Sequence, residues 1–344
     1  MRTYLSICLT IVLIVLQSGC ISKSKLAEDN VRSEDKEVLT VYLNDFDDII
    51  GPMFEEATGY RIELVQGSGA ELMSRIEAER GNPHWDVVWA DLISSIHGLG
   101  LNGMFYEGFV PEHAAKLKET YKLLVPEGNW YYPTGAHAAA VITYNNDVLT
   151  TEEAPASWTD FSNPAFKSSV GIADPAIAAP AYAFVSSFFQ QYDIEGGKAI
   201  ISDWFDNGLL IYPKNPNLAM ALLSGQIKVA ALQESNAYNL VNQNKPVSII
   251  WPAEGAPAAV RVAAISKETK QLEAAKAFVN FLLDPAIQQA IIDASEESYH
   301  EPSVVGVQPK SDRELNAKLL FPDIMQSYQH EAEIKQWFAD FSIK

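Results

Sequence analysis

The segment FEEATGYRIELVQGSGAELMSRIEAERGNPHWDVVWA, residues 54–90, alternates between two spacings of apolar side chains. Apolar residues at helical spacing end at Gly59, the stretch 60–66 has the content of a strand, and 67–81 returns to helical spacing. A further stretch, 85–91, predicts another strand. Because strands and helices alternate with short connections, the segment predicts βαβ units and a mainly parallel sheet with helices on both faces.

The same alternation extends in both directions from this segment. Residues 38–43 (VLTVYL) predict a buried strand before it, and residues 137–145 (HAAAVITYN) predict one after it. Later stretches predict helices at 181–192 and 271–294. The chain has 344 residues, of which 48% are hydrophobic and 20% charged, enough for two compact lobes with apolar cores. We therefore predict an α/β fold.

The start of the chain differs in composition from the rest. A positively charged start precedes an apolar run of about a dozen residues, which is typical of a secretory signal and too short for a membrane span. The stretch LQSGC, residues 16–20, resembles the lipobox of bacterial lipoproteins, in which the cysteine becomes the lipidated N-terminus. We therefore expect a signal peptide over 1–19, lipid on Cys20 and a solvated tether over 20–37, with an unmodified thiol as the alternative for Cys20. Since Cys8 would leave with the signal, no disulfide is expected in the mature chain.

The charge and motif content exclude several classes of function. The formal net charge is −19 at pH 7, which would repel nucleic-acid phosphates and suits an exported soluble protein. The sequence contains no Gly-x-Ser-x-Gly, His-Glu-x-x-His or phosphate-binding Walker motif. We therefore expect no nucleic-acid partner, no catalysis and no cofactor.

Across residues 38–310, the order of these elements resembles the bacterial extracellular solute-binding proteins of ABC importers. The match is to the ferric-binding-like group, which also contains phosphonate and sugar-phosphate binders. The segments that carry the resemblance are residues 54–90, GNWYYPTGAHAAAVITYN (128–145), ASWTDFSNPAFKSSVGIADP (156–175), LLSGQIKVAAL (222–232) and AAKAFVNFLLDPAIQQAI (274–291). Their order along the chain is more specific than any one of them.

The resemblance implies a two-lobed periplasmic-binding-protein fold, type II-like, with mainly parallel sheets flanked by helices and a ligand cleft between the lobes. Lobe 1 is expected at 38–136 plus about 258–300, and lobe 2 at about 137–257 plus 301–344. The implied function is that of a monomeric substrate-binding component of an ABC importer, working in the periplasm or at the cell surface. It would capture a small polar solute by hinge closure and deliver it to a membrane permease driven by an ATPase subunit. A ligand sensor for a membrane receptor is the alternative.

Solute contacts are expected in the loops that follow the strands, because helix N-termini and backbone N–H groups point into the crevice there. The candidate residues are Tyr42, Asn44, Gly67, Ser68, Gly69, Asp91, His137, Asn215, Glu234, Ser235 and Asn236. Structural alternatives remain: Gly67–Gly69 as a tight turn, Asp91 as a helix N-cap, and His137 as a hydrogen-bonding residue without a ligand. Tyr299 resembles a family position near the cleft edge, with a surface turn as the alternative. Apart from Lys214, no lysine or arginine falls at these strand-end positions.

The residue types at these positions suggest the class of solute. In ferric-binding relatives two adjacent tyrosines hold Fe³⁺, and counting without gaps puts those positions on Ser235 and Asn236, which supply no anionic oxygen. Asp91, His137 and Glu234 could form a different metal site, so iron uptake stays the alternative. The carboxylates, amides and glycine-rich loop instead favour a small zwitterion such as an aminophosphonate. Carboxylates would pair with its ammonium, and backbone N–H groups with its anionic end.

Overall fold

The computed structural model describes residues 38–296, 298–314 and 316–342. The predicted signal peptide, the lipidated Cys20 and the tether therefore lie outside the described residues. Within those three ranges, no helix combines the length and the apolar character that crossing a lipid bilayer requires.

The described strands form two sheets. They are β1 (Leu39–Leu43), β2 (Ile62–Gln66), β3 (Val87–Ala90), β4 (Tyr132–Ala138), β5 (Val141–Asn145), β6 (Val170–Ala173), β7 (Leu210–Tyr212), β8 (Val229–Leu232), β9 (Val247–Ile250), β10 (Ala256–Ile265), β11 (Glu301–Pro302) and β12 (Leu319–Leu320).

Helices connect and cover these strands. They are α1 (Ile50–Thr58), α2 (Gly69–Ala78), α3 (Ile93–Leu101), α4 (Glu119–Lys122), α5 (Ala179–Gln191), α6 (Asp193–Asp206), α7 (Asn215–Leu223), α8 (Glu234–Asn242), α9 (Leu272–Leu283), α10 (Pro285–Ala294), α11 (Ile324–Gln329) and α12 (Glu331–Ser342). Short 3₁₀ turns cover Ala114–Lys116, Trp158–Ser162 and Pro164–Phe166.

The first sheet has the order β11-β4-β10-β3-β1-β2, with β12 paired to β10. β1 pairs in parallel with β2 and β3, as βαβ units require, whereas β10 runs antiparallel to β3 and β4. The predicted parallel pairing of the N-terminal strands is therefore confirmed. The antiparallel strands are those that carry the chain between the two sheets.

The second sheet has the order β7-β6-β8-β5-β9. In it, β6 is parallel to β7 and β8, while β5 is antiparallel to β8 and β9. The chain passes from the first sheet to the second across Ala139 and Ala140, and it returns between β9 and β10. Separate apolar cores form around Phe278 beneath the first sheet and around Trp204 beneath the second. This two-sheet architecture confirms the predicted fold class.

Local chemistry explains why residues 54–90 fold as they do. α1 ends at Gly59, whose φ of 71° lies in the left-handed region that favours glycine, and the Gly59 N–H donates to Glu55 O at 2.8 Å. α2 begins with a capping box, in which the Ser68 hydroxyl accepts from Glu71 N and the Glu71 carboxylate accepts from Ser68 N. These caps fix where β2 begins and where the loop after it turns into α2.

The C-terminal tail contacts both halves, whereas the sequence analysis assigned residues 301–344 to lobe 2. β11 pairs with β4, because β4 would otherwise be an uncovered edge of the first sheet. β12 pairs with the start of β10, α11 lies against α3 and α5, and α12 packs on α5 and α6. The predicted change of lobe at 136/137 also falls inside β4. The lobe boundaries otherwise stay a prediction.

Candidate ligand-binding site

Polar side chains at the ends of β1, β3 and β4 meet at one edge of the first sheet. Asn44 Nδ2 donates to Asp91 Oδ1 at 2.6 Å, and Asp91 N donates to Asn44 Oδ1 at 3.2 Å. His137 lies beside them, with its Nε2 3.5 Å from Asp91 Oδ2. Three of the sequence-predicted residues are thus brought together, because the carboxyl ends of the parallel strands β1 and β3 lie side by side.

A buried arginine joins this group from the middle of β10. Arg261 is 5% exposed. Its Nη1 donates to the Asn44 carbonyl oxygen and, at 3.2 Å, to Asn44 Oδ1. Its Nη2 donates to Asp45 Oδ2 at 2.7 Å and lies 3.9 Å from Asp91 Oδ2.

Arg261 lies within β10 and does not follow a strand, so it is not among the sequence-predicted residues. The signal was nevertheless present: Arg261 is the single charge in the apolar strand 256–265. A charge buried in such a strand needs a partner, so its presence indicates an oxygen-rich site next to the strand. The observation that only Lys214 is basic at the strand-end positions still holds, because Arg261 lies within β10.

The loop after β1 has a strained backbone. Asp45 and Phe46 have φ angles of 62° and 64°, a left-handed conformation that residues other than glycine rarely adopt. The Phe46 ring stacks on Trp89 with centroids 5.4 Å apart, and the Arg261 guanidinium carbon lies 5.0 Å and 5.1 Å from the two ring centres. Such strain persists only where the surroundings hold it, and it is concentrated at functional sites. These contacts place the loop at Asp45 and Phe46 beside Asn44 and Arg261.

Residues next to the second sheet form hydrogen bonds that decide which ring nitrogen of His137 carries the proton. Gln233 N donates to Asn215 Oδ1 at 3.3 Å, and Asn215 Nδ2 donates to Gln233 Oε1 at 3.2 Å. This pairing turns the Gln233 amide nitrogen toward His137, so His137 Nε2 accepts across the 3.2 Å that separates them. His137 is then a neutral imidazole with its proton on Nδ1. The sequence analysis named Glu234 and Ser235 but missed Gln233 by one position, because the end of β8 is set by its pairing with β5 and β6.

Burial dominates the electrostatics of this group. It lowers the pKa of His137 to about 3, with Arg261 acting in the same direction and Asp45 opposing it. Burial raises the pKa values of Asp91 and Asp45, and the Arg261 guanidinium opposes both shifts. Asp91 Oδ2 is buried and accepts no hydrogen bond from the described residues. A buried carboxylate oxygen without a donor is unfavourable, so a donor from a solute at this atom would stabilise the protein.

Glu234, one of the predicted solute contacts, makes hydrogen bonds to other parts of the chain. It is fully buried, its Oε1 accepts from Arg313 Nε at 2.5 Å, and its Oε2 accepts from Ala138 N at 2.7 Å. Arg313 also lies 3.3 Å from Glu301, which pairs with Lys118. Glu234 therefore neutralises an arginine of the tail and holds the backbone where the chain leaves the first sheet.

The alternative metal site is not assembled by this geometry. Asp91 and His137 approach each other, but Glu234 is turned to Arg313. Among the described residues, no group of three or more histidine, cysteine and carboxylate side chains is arranged to hold a metal ion. Ser235 lines a cavity together with His137, and Asn236 follows in the first turn of α8.

Tyr42 lies in the core of the first half, away from this group. It is completely buried, its hydroxyl donates to Glu79 Oε1 at 2.9 Å, and the Arg75 guanidinium lies 5.0 Å from its ring centre. Tyr42 belongs to β1 itself, where α2 covers the strand. The polar end of the strand begins only at Asn44.

The glycine-rich loop combines a structural role with a position at the cleft. Ser68 caps α2, and neither Gly67 nor Gly69 adopts the left-handed φ on which the tight-turn alternative depended. Gly69 faces the second half, since a Cβ at this position would lie 2.9 Å from the Ala179 Cβ and 3.0 Å from Leu92 Cδ2. The N-terminus of α2 therefore meets the N-terminus of α5 across the two halves.

Two adjoining cavities lie between the halves. Asp91 lines one of them, and Gly69 and Ala178 line the other. Both are bordered by Ala179 and Tyr182, so they share a wall. A solute that spans them would have one end beside Asp91 and the other beside two helix N-termini.

Comparison with known proteins identifies the family. The family model described as bacterial extracellular solute-binding protein matches residues 99–329. The putative 2-aminoethylphosphonate-binding periplasmic protein of Salmonella typhimurium is 27% identical over 287 residues, which cover 80% of this chain and 79% of that protein.

Solved structures of periplasmic binding proteins share the fold. AfuA of Actinobacillus pleuropneumoniae, with bound fructose-6-phosphate, gives a TM-score of 0.78 at 18% identity, covering 88% of this chain and 97% of its own. Iron-bound HitA of Pseudomonas aeruginosa gives a TM-score of 0.76 at 20% identity, covering 87% and 98%. The chain belongs to the bacterial extracellular solute-binding protein family, as an exported protein that binds a small solute for an importer.

Proposed function

We propose that the solute is a small zwitterion with one ammonium group and one anionic, oxygen-rich group, and that 2-aminoethylphosphonate represents this class. The observation that carries the proposal is Asp91 Oδ2, a buried carboxylate oxygen without a hydrogen bond from the described residues. An ammonium offers three donors and a positive charge, so it would satisfy this oxygen more strongly than a neutral group.

The anionic end of the solute would lie at the helix N-termini that meet at Gly69 and Ala179. The first N–H groups of a helix have no partner inside the helix, and the helix dipole adds a partial positive charge there. Because the two cavities share Ala179 and Tyr182, a short spacer would connect this end to Asp91. The 27% identical relative named for 2-aminoethylphosphonate supports the same class.

Isothermal titration calorimetry tests the proposal. We expect 2-aminoethylphosphonate to bind the wild type, and ethylphosphonate, which lacks the amine, to bind much more weakly. Asp91→Asn should weaken binding about thirtyfold or more, because removing one partner of a buried charge pair costs about 2 kcal/mol or more. Asp206→Asn, at an exposed carboxylate far along α6, is the control and should bind like the wild type. No heat with millimolar 2-aminoethylphosphonate would contradict the proposal.

We also propose that the protein is a monomer held at the membrane by lipid on Cys20, after removal of residues 1–19, with 20–37 as its tether. The lipobox-like stretch 16–20 supports this proposal. Intact mass and detergent partitioning of the mature protein test it. Cys20→Ala should yield a protein without lipid that no longer partitions with membranes, and size-exclusion chromatography of that soluble form should give the mass of one chain.

A further inference from the structure

The surroundings of Arg261 form a complete receptor for a cation. Its guanidinium contacts the carboxylate of Asp45 and the backbone carbonyl of Asn44, and it lies near the carboxylate of Asp91. The rings of Phe46 and Trp89, which stack on each other, have their centres 5.0 Å and 5.1 Å from the guanidinium carbon. Carboxylates, a carbonyl and aromatic faces are the groups that bind organic cations. In this protein the cation is part of the chain.

Two independent distortions of the backbone converge on this side chain. The pairing of β10 with β4 shifts register between Arg261 and Val262, and a register shift of this kind re-aims a side chain toward a site. On the opposite side, Asp45 and Phe46 both adopt left-handed φ angles to face the guanidinium. Both distortions therefore lie at residues that carry or contact this charge.

Two carboxyl groups and one guanidinium surround Asp91 Oδ2, which accepts no hydrogen bond from the described residues. Asp45 and Asp91 carry two negative charges when both are ionised, against the one positive charge of Arg261; burial raises the pKa values of both carboxyl groups, and Arg261 opposes that rise. The neighbouring pair of Glu234 and Arg313 is neutral in sum. With both carboxyl groups ionised, one ligand ammonium at Asp91 completes neutrality, whereas a second ammonium would lie beside a fixed guanidinium in a poorly screened pocket.

We propose that Arg261 determines specificity by occupying a second cation position, so that the cleft accepts monoammonium solutes and rejects diamines. This inference rests on the proposed function, in which Asp91 receives the ammonium. The inference adds that one side chain causes the rejection of dications. Replacing Arg261 should therefore allow them to bind.

The test compares 1,4-diaminobutane with 2-aminoethylphosphonate on the wild type, Arg261→Met and Arg261→Lys by titration calorimetry at about pH 8. We expect the wild type to bind only the zwitterion. Arg261→Met vacates the position and should bind 1,4-diaminobutane about tenfold or more tightly than the wild type does. Arg261→Lys keeps the charge and should still reject the diamine. A change of preference is a readout that a purely structural role of Arg261 would not produce.

The outcomes separate this inference from the proposed function. Gain of diamine binding in Arg261→Met supports the inference even where no variant binds 2-aminoethylphosphonate, which would contradict only the proposed solute. A folded Arg261→Met, judged by circular dichroism, that binds the diamine no better than the wild type overturns the inference. Arg261→Gln, which keeps a donor for the Asn44 carbonyl, makes the same comparison if the methionine variant does not fold. If the wild type binds 1,4-diaminobutane as tightly as the zwitterion, the inference is wrong, and no variant is needed to show this.

Discussion

His137 is a neutral imidazole in the folded protein, since burial lowers its pKa to about 3. In the unfolded chain the same group titrates near about 6.5. Its contribution to stability is therefore fully present above about pH 6.5 and is lost as pH falls from there toward 3, because only the unfolded state takes up the proton. Asp45 and Asp91, whose pKa values are raised, act in the opposite direction and remain in any His137 variant.

His137→Gln should remove this pH dependence while keeping an acceptor for Gln233. The difference in unfolding free energy between the wild type and His137→Gln should shift by about 2 kcal/mol against the wild type between about pH 7 and pH 5. Urea unfolding at the two pH values measures it. A free-energy difference that is the same at both pH values would show that His137 takes up a proton as readily in the folded protein as in the unfolded chain. His84→Gln, at an exposed histidine, is the control for loss of an imidazole.

Whether a site residue could be predicted from the sequence depended on its place in a strand. Asn44, Asp91 and His137 were predictable, because the ends of neighbouring parallel strands converge in any α/β sheet. Gln233 and Arg261 were not, because a one-residue error in a strand end and a register shift inside β10 cannot be seen in apolar patterning. The signal that remained was a single charge within an apolar strand.

Among the elements, α11 connects the two halves. Ser94 Oγ of α3 donates to Ser327 Oγ at 2.8 Å, and Tyr182 of α5 donates to the Ser327 carbonyl at 2.5 Å. The Tyr328 ring lies against Gly98 of α3 so closely that a Cβ there would be 2.1 Å from it. A six-residue helix is too short to be stable alone, so these contacts stabilise it.

Gly98→Ala should therefore lower the free energy of unfolding by about 1–3 kcal/mol, because the new methyl group overlaps the Tyr328 ring. Alanine is otherwise the better helix former by roughly 1 kcal/mol, so a loss must come from packing. Chemical denaturation followed by circular dichroism measures it. Tyr328→Ala removes the ring, and Gly98→Ala should cost little in that background. Equal losses in both backgrounds would contradict this account of α11.

The sequence predicted the regular βαβ segment better than the tail, for a physical reason. Residues 54–90 carry their own periodicity, caps and turn glycines, and these local signals agree with the final structure. α11 depends on contacts with residues more than 140 positions away, and Ser94 is 233 positions from Ser327. β10 likewise starts at Ala256, in a run of alanine and proline that becomes a strand only through pairing with β4 and β12.

At the scale of the whole molecule, the two halves already touch across the cleft. Gly69 lies against Ala179, and the rings of Tyr238 and Tyr299 stack with centroids 4.3 Å apart. Tyr299, which the sequence analysis associated with the cleft edge, therefore joins α8 of the second half to the chain that follows α10. Solute has to enter before these contacts form, since Asp91 is 3% exposed. The described arrangement is thus the closed one, and binding depends on reaching it.

This dependence gives a prediction that separates closure from direct contact with the solute. Gly69→Ala adds a methyl group 2.9 Å from the Ala179 Cβ, which should disfavour the closed arrangement by about 1 kcal/mol or more and weaken solute binding about fivefold or more. Adding Ala179→Gly removes the opposing methyl group, so the double variant should recover most of the affinity. Titration calorimetry gives the affinities, and small-angle scattering should show less compaction on adding solute to Gly69→Ala than to the wild type. Weakened binding that the double variant does not restore would mean that the added methyl group acts through Leu92 or through solute access to the helix N-terminus, because only the contact between the halves depends on the Ala179 side chain.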